Sequence, residues 1–228
     1  MSEARAAVWG LYKHVYFVRL KREIAALLLP IMRRLTAQSS AFLLCDVQEK
    51  FRELIFEFPS VIHTATTMSK VSRILDIPLI VTEQNPKALG ATCTEIPIEH
   101  ASLRLAKNQF SMLTPEVLSH FQTKLPGVRD IVLYGIEGHI CMLQTSIDLR
   151  QNGFGVHVLV DGTSSSKVVH RSTALDRMKS NGCVLTTSET VIFELLGTAD
   201  HPKFRDLSKV VKEHTAGTSS SLCNLTPL

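Results

Sequence analysis

Five short apolar runs recur from residue 41 onward: AFLLCD (41–46), PLIVTEQ (78–84), DIVLYGI (130–136), GVHVLVD (155–161) and CVLTTS (183–188). Each is mostly aliphatic without strict alternation, the pattern of strands covered on both faces of a parallel sheet. Between them run helical faces: Val61, Ala65, Met68 and Leu75, then Ile140, Leu143 and Ile147, then Ala174, Leu175 and Met178. This alternation predicts an α/β fold, a three-layer α/β/α sandwich with a mostly parallel, doubly wound sheet of five to six strands. SLRLAK (102–107) is a candidate sixth strand within residues 85–114, the longest stretch without a clear element. Pro59 marks a helix start, Asn152 and Gly153 a helix end, and Ser188 and Gly197 an N-cap and a C-cap.

At 228 residues the chain can bury a core of its own. Its net charge of +4 is uneven, because seven of the 25 Lys and Arg but only two of the 21 Asp and Glu lie in residues 1–40. The organisation expected is a basic extension (1–40), one domain (41–213) and a loose Ser/Thr-rich tail (214–228). The near-neutral domain lacks the basic excess of a nucleic-acid footprint, so a small-molecule substrate is the expected partner. IAALLLPIM (24–32) is far shorter than the ~20 residues of a transmembrane helix. The extension has two readings, an organelle-targeting segment or a non-functional or peripheral one. Five cysteines, at 45, 93, 141, 183 and 223, form no CxxC pair and read as reduced thiols. A cytoplasmic location is expected, with a mitochondrial one as the alternative.

Open α/β sheets bind ligands beyond the carboxyl ends of their strands, where strand order reverses. Asp46 ends the first run, and Cys141 follows the third run at the start of a helical pattern. A thiol in a first helical turn feels the positive end of the helix dipole, which favours thiolate. Taken alone, Cys141 is better read as a small buried hydrophobe. Asp46 is either a base or a turn cap, and Lys107 either its buried partner or a solvated surface lysine.

Several motifs together carry a resemblance that spacing alone does not show. LLCDVQEKF (43–51), LAKNQFSM (105–112) and YGIEGHICML (134–143) resemble the isochorismatase-like cysteine hydrolase superfamily. Within it the chain is most similar to eukaryotic isochorismatase domain-containing proteins and to kinetoplastid relatives described as mitochondrial-associated ribonucleases. TEQNPKALG (82–90), VDGTSSSK (160–167), TTSE (186–189) and DHPKFRDL (200–207) extend the match to residues 40–213.

The resemblance implies an Asp46, Lys107 and Cys141 triad: Asp46 takes the thiol proton, Lys107 holds Asp46, and Cys141 attacks a carbonyl or imine-like carbon. It also implies a cis peptide bond at Ile136–Glu137, an oxyanion hole from the backbone N–H groups of Glu137 and Cys141, and a homo-oligomer. Gly138 is expected to ease the turn. Phe51, Glu83, Gln84, Phe110 and Glu137 are the candidate pocket residues. His139 is assigned a structural or surface role rather than a Cys–His dyad. No HxxH or HxxxH pair occurs, so neither a metal nor another cofactor is expected. Isochorismatases proper do not depend on a cysteine nucleophile, so Cys141 places the chain with the amidohydrolase-like branch and isochorismate is not the expected substrate.

Overall fold

A computed structural model describes residues 34–217 and Leu222; the question of a targeting segment falls almost wholly outside them. Six strands, β1 Ser40–Cys45, β2 Leu79–Gln84, β3 Leu103–Lys107, β4 Asp130–Gly135, β5 Gly155–Thr163 and β6 Val184–Thr186, form one sheet. Helices α1 Phe58–Leu75, α2 Pro86–Leu89, α3 Pro115–Lys124, α4 Leu143–Gln151, α5 Val168–Ser180, α6 Ser188–Leu196 and α7 Phe204–Gly217 connect or follow them.

Every pairing is parallel, in the order β3-β2-β1-β4-β5-β6. The chain winds outward from β1 to β3, then returns to β4 on the other side of β1. Strand order therefore reverses between β1 and β4, with Cys45 opposite Gly135. That reversal puts the ends of the first and third apolar runs side by side, at the crevice where such sheets bind ligands.

SLRLAK is the edge strand β3, in which half-buried Leu103 and Leu105 alternate with exposed Arg104 and Ala106. One covered face and five residues leave only a faint strand signal. Two apolar clusters cover the two faces of the sheet. Phe42 and Leu44 of β1 pack with α1, α6 and α7, through Val61, Ala65, Met68, Val191 and Leu207 among others. Ala41, Leu43 and Cys45 face the other way, with Val117, Leu149, Leu175 and Cys141. The two-residue period of a strand thus sends Cys45 to the layer that holds Cys141.

Asn152 and Gly197 cap their helices as expected. Helix α6 is capped one residue earlier than the sequence suggests: the Thr187 hydroxyl accepts the Thr190 N–H at 3.3 Å. Ser188 instead opens the helix, its N–H donating to both carboxylate oxygens of Asp161 at 3.0 Å. A carboxylate there also complements the helix dipole. Helix α7 continues to Gly217, past residue 213, and Leu222 is buried.

His157 on β5 predicts how stability responds to acid. Burial holds its pKa below the ordinary 6.5, against the opposing pull of Asp130 and Glu194. Burial depresses His100 and His139 as well, with Arg73 and His170 adding to it. The unfolded chain therefore takes up protons that the folded chain refuses, so stability falls as pH drops through 6.5 and levels off below the folded pKa. Thermal midpoints recorded between about pH 8 and about pH 5 are expected to show that fall, and a shallower one in His157→Gln. An unchanged slope in the variant would contradict the assignment to His157.

Candidate active site

At the end of β1 the chain turns through Asp46 at φ 53°, a left-handed conformation that Asp tolerates better than branched residues. Its N–H still bonds the Thr82 carbonyl of β2 at 3.2 Å, so the carboxylate is fixed at the sheet's end. Thr82 Oγ1 donates to Oδ1 at 2.8 Å, and Lys107 Nζ to Oδ2 at 2.7 Å. Lys107 and Asp46 side chains are 1% and 2% exposed. Burying two ions costs several kcal/mol each unless their remaining hydrogen-bonding groups are satisfied. They are: Lys107, entering from the end of β3, also donates to Gln84 Oε1 at 2.8 Å, to the Phe110 carbonyl at 2.9 Å and to the Gln109 carbonyl at 3.2 Å.

Across the strand reversal, β4 ends at Gly135 with φ 141°. A Cβ there would lie 2.2 Å from the Cys45 carbonyl oxygen, so only glycine fits. The Ile136 N–H bonds that same carbonyl at 3.1 Å, and Glu137 then turns at φ 52°. No described peptide bond is cis, which corrects the expectation at Ile136–Glu137. Two positive φ angles make the turn instead. Gly138 is not the strained residue either; its missing Cβ leaves room for Ser165 Oγ, which a Cβ would meet at 3.0 Å.

Residues Gly138–Met142 form a wide π turn, closed by the Met142 N–H on the Glu137 carbonyl at 3.3 Å, before α4 begins. Such turns occur disproportionately at functional sites. Cys141 lies inside it and is 5% exposed. Thr145 Oγ1 donates to the Cys141 carbonyl at 2.6 Å and accepts the Met112 N–H at 2.8 Å, tying the loop after Lys107 to the turn that carries Cys141. The Cys45 thiol completes the corner. It donates to Asp46 Oδ2 at 3.6 Å and lies in the same buried cluster as Cys141. Lys107, Asp46 and Cys45 are therefore hydrogen-bonded in series, and Cys45 packs in the cluster that holds Cys141.

Residues 40–190 match the Isochorismatase domain. The chain belongs to the isochorismatase family. It is 44% identical over 180 residues to Isochorismatase domain-containing protein 2 of Xenopus laevis, covering 79% of this chain and 87% of the relative. The structure named MAR1 Ribonuclease from Caenorhabditis elegans superposes with a TM-score of 0.77 at 39% identity, over 86% of this chain and 98% of that one. The YcaC gene product of Escherichia coli, described as an octameric hydrolase of unknown specificity, shares the fold (TM-score 0.67, 20% identity, 81% of this chain and 98% of that one).

Other residues of this isochorismatase domain divide. Gln84 is part of the cluster, accepting from Lys107 and donating through Nε2 to the Asn108 carbonyl at 2.8 Å. Glu83 is not; it accepts the Thr92 N–H and hydroxyl, both at 2.8 Å, and braces the loop after β2. Phe110 contributes its carbonyl while the residue is half exposed, and Phe51 packs with the cluster on the opposite face of the sheet from Cys141. His139 stacks on His170 with ring centroids 4.4 Å apart and lies 3.2 Å from Glu137, in keeping with a structural role. Burial raises the Glu137 carboxyl above its ordinary range.

Sequence reasoning overlooked Cys45, Thr82 and Gln48. Gln48 accepts the Gln84 N–H at 2.7 Å and donates to the Gln84 carbonyl at 3.0 Å, holding β2's end against the turn after β1. Thr82 was the findable one. It is the polar residue of an otherwise apolar run, PLIV, that ends beside Asp46.

Proposed function

We propose that this chain is a cysteine hydrolase acting on a small amide, carbamoyl or related C–N bond. One observation carries the reading: a fully buried Lys107–Asp46 pair, 2.7 Å apart, with the Cys45 thiol on Asp46 and Cys45 packed in one buried cluster with Cys141 at the strand reversal. In the proposed reaction Asp46 takes the Cys141 proton and the thiolate attacks the carbonyl carbon. The C–S bond forms as the carbonyl π pair moves onto oxygen, and the N–H groups of Glu137 and Cys141 receive that oxyanion. The neighbouring N–H groups of Ile136 and Gly138 are already engaged, at 3.1 and 2.9 Å. Collapse expels the amine, which leaves with the proton held by Asp46. Water then gives a proton to Asp46, attacks the thioester and releases Cys141. Lys107 holds Asp46 in place throughout.

A homo-oligomer is proposed on the resemblance. A ribonuclease reading rests on the name of the Caenorhabditis elegans relative. Against it stands the near-neutral charge of residues 41–228, since phosphate binding draws on concentrated Lys and Arg.

Ammonia release from a panel of primary amides and carbamoyl compounds tests the proposal. Turnover of at least one compound, absent in Cys141→Ala, is the expected result. RNA cleavage lost in the same variant, with no amide turnover, would replace it with the ribonuclease reading. Neither activity would make the chain a silent interaction protein.

A further inference from the structure

Cys45 has no part in the reaction as written, yet its thiol lies against Asp46 and in the buried cluster that holds Cys141. It is fully buried, with its sulfur 3.6 Å from Asp46 Oδ2, and it packs in the same buried cluster as Cys141. Its backbone is immobilised from both sides. The Ile136 N–H grips its carbonyl at 3.1 Å, and Gly135 packs against it so closely that a Cβ there would come within 2.8 Å of the Cys45 Cβ. A sulfur held this rigidly against Asp46, in the buried cluster that also holds Cys141, is placed to act on both.

The ionisable groups acting on Cys45 are Asp46 on its own chain, Lys107 from β3 and Cys141 from the π turn. Burial first, then the neighbouring Cys141 thiol and the charge of Asp46, push its thiol well above the ordinary thiol range, and Lys107 only partly opposes them. Cys45 therefore keeps its proton over the pH range in which a hydrolase works. A thiol that never ionises is a permanent, if weak, donor.

We propose that Cys45 is a positioning residue: once Asp46 has taken the Cys141 proton, the Cys45 S–H turns from Asp46 Oδ2 to the Cys141 sulfur and stabilises it as thiolate. This rests on the reading of Cys141 as nucleophile. The step is balanced without any external group: one proton passes from Cys141 to Asp46, and the proton of Cys45 stays on its own sulfur. When Asp46 gives its proton to the leaving amine, the S–H returns to the carboxylate. The donor is thus directed to whichever partner bears the negative charge, which a methyl group at this position could not do. Hydrogen bonds to charged groups are the stronger class, so losing this one is expected to slow Cys141 alkylation about tenfold.

The test is the pH dependence of Cys141 alkylation by iodoacetamide in the full chain, followed by peptide mass spectrometry in wild type, Cys45→Ala and Cys45→Ser. Cys45→Ala should shift the profile up by about one unit and slow alkylation about tenfold below it, while Cys45→Ser, which restores a donor, should return it toward wild type. Both variants disturb packing, so thermal midpoints alone do not separate them. An unshifted profile in Cys45→Ala, or the same shift in both variants, would overturn the inference while leaving Cys141 as nucleophile. If wild-type Cys141 shows no preferential alkylation, the proposed function itself fails.

Discussion

Replacing Lys107 by alanine is expected to lower the unfolding free energy by about 3–5 kcal/mol, the range for breaking a buried ion pair by removing one partner. Asp46 would keep Thr82 Oγ1, but its other oxygen would lose the 2.7 Å ammonium contact in a place that water does not reach. The Gln84 amide oxygen and the Phe110 and Gln109 carbonyls would lose the same donor, loosening the loop that Met112 and Thr145 tie to Cys141. For a domain of this size that is a fall of roughly 10 °C in Tm. Urea unfolding measures it directly. Adding Asp46→Asn to Lys107→Ala should recover part of the loss, because the stranded charge is removed. A loss below about 1 kcal/mol would mean that the pair is not held as a desolvated ion pair.

The layers of the fold were legible because burial on both faces leaves a mark that periodicity can read: all five apolar runs became strands, β1, β2, β4, β5 and β6. The sixth strand was marginal for the opposite reason, since β3 sits at the edge and exposes Arg104 and Ala106. Within the site, the spaced motifs marked Asp46, Lys107 and Cys141; the first two are ion-paired, and Cys141 packs in the cluster that holds Cys45. The turn between β4 and Cys141 was legible as a turn but not in its geometry. Its φ angles are set by how closely Gly135 approaches the Cys45 carbonyl, a tertiary contact that no local pattern encodes. Cys45 escaped notice because an apolar run hides which of its faces will meet the site. Only the parallel pairing of β1 with β4 put it beside Cys141.

The second large effect is on turnover. On the proposed function, Cys141→Ala should reduce hydrolysis of any active amide to background, since it removes the proposed nucleophile. Asp46→Asn keeps the shape and the Thr82 contact but can no longer take the thiol proton, and a loss of about 10²–10⁴-fold in kcat/KM is expected. Turnover that survives Cys141→Ala would assign the chemistry to another group or a contaminant.

The central claim is that Cys141 is an activated nucleophile, and competition among the thiols for a limiting electrophile tests it most directly. The expected result is modification of Cys141 ahead of Cys45, Cys93 and Cys183, which burial raises, the latter two to about 12 and about 11. That preference should weaken in Asp46→Asn. Equal labelling of the thiols, or none at Cys141, would contradict the account.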